Sequence, residues 1–113
     1  MKFAQLAAPF AIAALAGFST QTMAAVDAAA AQALFKKNDC TKCHSVDKTK
    51  KGPALQKIAA NYKGKADGQD KVIKAMTTGP KVKLDDGSQE DHKVIDTKDA
   101  ATLKNMADWI LSQ

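Results

Sequence analysis

The 113-residue chain predicts a small all-α domain. Apolar residues beyond the first two dozen positions recur at the i, i+3, i+4 spacing of amphipathic helices, and strand-like alternation is weak throughout. A second observation says what the helices surround. Cys40-Thr41-Lys42-Cys43-His44 sets two thiols and an imidazole within five residues, and C-x-x-C-H is the attachment sequence of c-type haem. The expected architecture is therefore a small helical domain wrapped around one covalently bound haem.

The chemistry needs these residue types at this spacing. The two thiols add across the two porphyrin vinyl groups, and the two intervening residues set the sulfur separation. The histidine follows at once, so its imidazole can lie under the iron as proximal ligand. Other chemistries compete for a C-x-x-C pair. A zinc site would need two more ligands, and the only other histidine is His92, with no third cysteine. A thioredoxin-like dithiol wants a strand before the motif and a helix opening at its first cysteine, whereas here the preceding segment reads as helix.

The N-terminus supports haem attachment. Met1-Lys2 is a short basic start, and Phe3 to Phe18 is almost wholly apolar. Thr22-Met23-Ala24 then offers a cleavage site after Ala24, with Ala25 close behind. This is the pattern of a secretory leader. As a membrane anchor the run falls short of the ~20 residues a spanning helix needs, and Pro9 and Gly17 interrupt it. Residues 1–24 are thus expected to be removed, which implies the periplasm, where an exported apoprotein with free thiols receives its haem. The remaining residues, 25–113, make one small domain of a size that often needs a staple. They hold no cysteine outside the motif, so a fixed porphyrin would supply it.

Charge narrows the partners. The chain has no arginine, and its 17 basic residues are all lysines. Loss of Lys2 with the leader leaves 16 lysines (17 less one) against 12 acids, a net charge of +4. Nucleic-acid readers favour arginine forks, so no nucleic-acid partner is expected. Lysine-only basicity suits brief encounters with an acidic protein surface.

Asp27 is the expected N-cap of a helix from Ala28 to Lys37. Ala31, Leu34 and Phe35 share its inner face, and Lys36 and Lys37 favour the dipole in its last turn. Asn38-Asp39 ends it, and the haem motif follows. Ser45 to Lys51 reads as loop. Gly52-Pro53 opens a second helix, Ala54 to Asn61, with Leu55 and Ile58 inward, closed by Tyr62-Lys63-Gly64. Lys65 to Gln69 reads as a turn. A third helix, Asp70 to Thr77, carries Val72, Ile73 and Met76 and stops at Gly79-Pro80. Lys81 to Asp96 has no sustained period and reads as a long functional loop, with a short hairpin possible around Asp86-Gly87. Asp96 or Thr97 is expected to cap the last helix, Lys98 to Leu111, whose inner set is Leu103, Met106, Trp109 and Ile110.

This order of helix, C-x-x-C-H, Gly-Pro, Tyr-Lys-Gly, short helix, long loop and a terminal Ala107-Asp108-Trp109-Ile110-Leu111-Ser112 resembles a small bacterial monohaem class I cytochrome c. The resemblance covers residues 25–113, which become the cytochrome c domain. It implies that the first and last helices cross, placing Leu34 and Phe35 near Trp109 and Ile110. It also implies that the Pro53 carbonyl accepts a hydrogen bond from the His44 ring, which fixes the tautomer and tunes ligand basicity.

One departure matters. The family usually carries a distal methionine in a proline-rich loop shortly before the terminal tryptophan. This loop has no methionine; it has His92, 17 residues before Trp109. His92 is accordingly the first candidate for the sixth iron ligand. Met76 and Met106 follow, although both sit at core-like helical spacings, and an open or water-filled site is the remaining alternative. A thioether would raise the reduction potential, whereas two imidazoles would lower it.

The resemblance implies a single-electron shuttle between donor and acceptor proteins with acidic docking surfaces, and a monomer rather than an enzyme. Lys42, Lys48, Lys50, Lys51, Lys81, Lys83 and Lys93 are the candidate basic rim. The alternative is a haem protein with an open or detachable distal ligand that binds small molecules or acts as a small peroxidase. The absence of an arginine-like distal charge weighs against that reading.

Overall fold

The computed structural model describes residues 25–113 together with Gly17. The expected leader and its cleavage after Ala24 lie outside the described residues. Among the described residues, no helix is long and apolar enough to cross a membrane.

The first helix, α1 (Ala28–Lys37), has the bounds its sequence predicts. The Asp27 carboxylate accepts from the Ala30 N–H at 3.0 Å, closing one of the orphan donors of the first turn. After Asn38 the chain turns through Asp39, at φ 56° in the left-handed region that aspartate tolerates better than most residues. A single 3-10 turn, Cys40–Lys42, then carries the motif. Helix α2 (Leu55–Tyr62) buries Leu55 and Ala59.

Helix α3 (Gly68–Thr78) starts two residues before its sequence-based position. The reason is steric. A Cβ on Gly68 would stand 2.3 Å from the Tyr62 carbonyl oxygen, so the α2–α3 corner closes only around a residue without one. Gly79, at φ 60°, ends the helix in the left-handed conformation that suits a helix C-terminus.

The long loop contains a hairpin, as Asp86-Gly87 suggested. Strands β1 (Lys81–Lys83) and β2 (Gln89–Asp91) pair antiparallel, with Lys81 opposite Asp91 and Lys83 opposite Gln89. Gly87, at φ 85°, turns the chain, and the Asp86 carboxylate accepts from the Ser88 N–H at 2.9 Å.

Helix α4 (Ala100–Leu111) corrects one expectation. Its cap is Asp99, whose carboxylate accepts from the Thr102 N–H at 2.8 Å, and neither Asp96 nor Thr97. Asp96 is held elsewhere, by Lys37 and Asn38. The Thr97 hydroxyl accepts from the Asp99 N–H.

Helix α4 organises the packing, since α1, α2 and α3 all lie against it. Phe35 meets Trp109 edge to face, with ring centroids 5.5 Å apart and planes at 66°, a preferred aromatic geometry. At the far end of the same crossing, Asn105 accepts from the Asp27 N–H at 2.8 Å and donates to the Asp27 carbonyl at 2.9 Å. The core comprises Ala31, Phe35, Leu55, Val72, Met76, Ile95, Leu103, Met106, Ala107, Trp109 and Ile110. Met76 and Met106 are both in it, as their helical spacing predicted. Replacing Trp109 with alanine removes the largest partner of the α1–α4 crossing. Denaturant unfolding of the Trp109→Ala holoprotein is expected to show a loss of about 3–5 kcal/mol.

Candidate functional site

The helices do not close over their own core. A cavity of about 580 Å³ opens beside it, within the range of sites that take a cofactor-sized ligand. Every helix contributes to its apolar floor: Phe35 from α1, Leu55 and Ile58 from α2, Val72 and Met76 from α3, Met106 and Ile110 from α4. Cys40, Cys43 and His44 line one side. His92 and the hairpin residues Val82 and Leu84 line another.

The motif is positioned by backbone bonds. The His44 N–H donates to the Cys40 carbonyl at 2.9 Å. The 45–52 loop folds back on the motif, with the Gly52 N–H donating to the Cys43 carbonyl at 2.9 Å and the Leu55 N–H to the Ser45 carbonyl at 2.9 Å. The start of α2 is thereby fastened to the thiol-bearing turn. The two cysteines do not form a disulfide with each other. Burial pushes the Cys40 thiol above its ordinary range, so in the unmodified chain it stays protonated at neutral pH.

His44 shows why Gly52-Pro53 follows the motif. Its Nδ1 lies 2.7 Å from the Pro53 carbonyl oxygen. That oxygen can only accept, so Nδ1 carries the proton and Nε2 keeps a free lone pair. Gly52 makes room for the ring, since a Cβ there would stand 2.9 Å from His44 Cε1 and 3.3 Å from Nδ1. Burial pulls the His44 pKa below the ordinary imidazole value, partly opposed by the Pro53 bond. The neutral, ligating form is thus favoured.

His92 lines the same cavity. Its N–H donates to the Pro80 carbonyl at 2.8 Å, anchoring it just beyond β2. Its Nδ1 lies 2.9 Å from the Lys93 carbonyl oxygen, which again leaves Nε2 free. The two imidazoles lie close together, with centroids 6.1 Å apart and planes at 42°.

The donor set fits a covalently held porphyrin. Paired thiols stand at the rim, a histidine with a fixed tautomer adjoins them, and an apolar floor suits a flat apolar face. It does not fit zinc. Among the described residues, no group of three or more His, Cys, Asp or Glu is gathered to hold a metal ion.

A family model for cytochrome c matches residues 28–113. The chain belongs to the cytochrome c family. Solved relatives agree in fold. The class 1 cytochrome MtoD of Sideroxydans lithotrophicus ES-1 is 49% identical, with a TM-score of 0.74 over 78% of this chain and 97% of that one. Cytochrome c552 of Nitrosomonas europaea is 33% identical, with a TM-score of 0.58 over 72% of this chain and 96% of that one.

Cytochrome c-551 of Pseudomonas denitrificans is 44% identical over 48 residues, 42% of this chain. That match spans 58% of the relative's length, and the match to cytochrome c-551 of Allochromatium vinosum spans 49%. The chain is thus a small monohaem class I cytochrome c of all-α fold. It carries one haem c, attached covalently through Cys40 and Cys43.

Two features of the site escaped the sequence. The steric demand for Gly52 follows only from where the His44 ring lies. The bonds that tie Lys37, Asn38 and Asp39 to Lys93 and Asp96 join segments more than fifty residues apart, and no local pattern marks them.

The cofactor assignment has a direct test. In a host with active haem-attachment machinery, the Cys40→Ala/Cys43→Ala protein is expected to lack the mass increment of one haem and to give no haem stain after denaturing electrophoresis. Either signal surviving would refute attachment through this pair.

Proposed function

We propose that this cytochrome is a periplasmic single-electron carrier whose iron is held axially by His44 and His92. The observation that carries the proposal is the separation of the two imidazoles across the cavity residues they share. A metal–imidazole bond is ~2.0–2.1 Å and a ring nitrogen lies ~1.1 Å from its centroid, so two trans imidazoles on one metal have centroids ~6.3 Å apart. The observed 6.1 Å separation is close to that spacing. Each Nδ1 is occupied by a backbone carbonyl, so both rings offer Nε2. Such carbonyl partners raise ligand basicity and fix ring orientation.

When bound, the haem supplies a reversible ferric–ferrous couple. The protein's part is to keep both axial positions filled and to set the potential. Two imidazoles place that potential below that of a His/Met site. Met76 and Met106 line the same cavity but are core residues, which supports His92 over either. A filled sixth position also leaves no site for a substrate, which supports a carrier over an enzyme.

His92→Ala decides the ligation. The parent ferric protein is expected to be low-spin by EPR, and the variant largely high-spin with exogenous imidazole restoring the low-spin signal. An unchanged low-spin spectrum in His92→Ala would exclude this ligand and make Met76 the next residue to replace.

The proposed partners are redox proteins with acidic surfaces, met by an incomplete basic rim. Of the seven rim candidates, Lys42, Lys51, Lys83 and Lys93 line the cavity. Lys42 and Lys93 already pair with Asp39, at 3.6 and 3.2 Å, and Lys81 pairs with Asp91 at 2.7 Å. The Lys50 ammonium bonds the Thr41 carbonyl. Lys51 and Lys83 are then the cavity-lining lysines best placed to meet a partner. Lys83→Glu is expected to slow electron transfer with an acidic partner several-fold at low salt. That difference should shrink as ionic strength rises past ~0.1 M, where screening acts over ~10 Å. A rate indifferent to both salt and Lys83→Glu would remove the lysines from docking.

A further inference from the structure

Three consecutive residues before the haem motif grip the segment that follows His92. Asn38 is the single buried polar residue among the described residues, 4% exposed. Its Nδ2 donates to Asp96 Oδ1 at 3.2 Å, and its Oδ1 accepts from the Asp96 N–H at 3.0 Å. Lys37 closes on the other Asp96 oxygen at 3.0 Å. Asp39 accepts from Lys93 Nζ at 3.2 Å. Residues 37–39 thus hold residues 93 and 96 across the cavity mouth.

We propose that Lys37-Asn38-Asp39 positions His92 and sets how readily its imidazole leaves the iron. The inference rests on the ligation proposed above and concerns how that ligation is held. Cys40, Cys43 and His44 fix the porphyrin to the 40–44 turn. His92 belongs to a different part of the chain, and its own side is fixed by backbone bonds to α3 and its C-terminal end, from the His92 N–H to Pro80 and from the Ile95 N–H to Met76, each 2.8 Å. Neither bond ties the loop to the turn that carries the haem. The 37–39 contacts do, immediately on either side of both anchor points.

The two halves of the clamp differ physically. The Asn38–Asp96 bonds are part-buried, because Asn38 is enclosed although Asp96 is exposed, and breaking them leaves a buried polar group short of a partner. The Asp39–Lys93 and Lys37–Asp96 pairs are exposed and weakened by salt. The clamp should therefore have a salt-independent part and a salt-sensitive part.

Cyanide binding to the ferric holoprotein reads this directly, because cyanide can enter only after the distal imidazole leaves. Asn38→Ala is expected to raise the binding rate about tenfold, at all salt concentrations. Lys93→Gln, an exposed change that spares the core, is expected to raise it about twofold at low salt and not at high salt. The exchange Asn38→Asp/Asp96→Asn restores hydrogen bonding between positions 38 and 96 but gives up the Lys37–Asp96 pair and the Asn38 side-chain bond to Leu34. It is expected to recover part of the rate increase seen in Asn38→Ala.

Two results would overturn the clamp while leaving ligation intact: His92→Ala turns high-spin, yet Asn38→Ala and Lys93→Gln take up cyanide at the parent rate; or Asn38→Ala only lowers the melting temperature. A raised rate in Asn38→Ala that the exchange does not lower at all would overturn it as well. If His92→Ala keeps the parent low-spin spectrum, the ligation itself falls and the clamp with it.

Discussion

The constraint on which the rest of this fold depends is covalent. Cys40, Cys43 and His44 lie within five residues, so the porphyrin can take up only one position relative to that turn. The four helices then pack around a volume that their own side chains leave open. Were the cavity of about 580 Å³ an empty apolar void, its cost at ~24 cal/mol per Å³ would be on the order of 10 kcal/mol, comparable with the whole stability of a small domain. Haem is therefore part of the core. Phe35, Leu55, Val72, Met106 and Ile110 are core residues of the protein and floor residues of the cavity together.

A haem fixed from one side still has to be met from the other. In the proposed ligation the loop that returns after β2 does this, and the two imidazoles are prepared alike. Each donates a hydrogen bond from Nδ1 to a backbone carbonyl, Pro53 for His44 and Lys93 for His92. The supports differ in kind. His44 is held by a short loop bonded to its own neighbours, with Gly52 clearing space for the ring. His92 depends on long-range contacts to α3 and to the residues just before Cys40. In the proposed ligation, the His92 side, held by long-range contacts, is where ligation would be tuned.

The same distinction explains what was legible in the sequence. The bounds of α1 follow from local chemistry: Asp27 at one end, Lys36 and Lys37 at the other, an apolar face between them. The haem motif and the identity of His92 as a loop histidine before Trp109 were legible for the same reason. The cap of α4 was not. Asp96, Thr97 and Asp99 are all good caps by type, and what removes Asp96 is its engagement by Lys37 and Asn38 from 58 or more residues away. The start of α3 was missed because glycine argues against helix unless the Tyr62 carbonyl is known to press on that position. Asn38 read only as a helix terminator, which it is, and nothing local revealed its second partner.

Charge follows a similar division between structure and encounter. With no arginine, the chain meets carboxylates only through flexible ammonium groups, which suit mobile surface contacts better than rigid bidentate ones. Part of that lysine charge is committed internally. Asp39 engages Lys42 and Lys93, and Asp96 engages Lys37. These partners hold both carboxylates below their ordinary range. The stability they contribute is thus full above the ordinary carboxylate pKa and is lost only as pH falls through their lowered values. At neutral pH these contacts are in place, and the net positive charge at the cavity mouth is smaller than a count of lysines suggests. In the proposed carrier role each partner must be released after the electron has moved. There, a rim partly neutralised by its own structural pairs would orient an encounter without holding it.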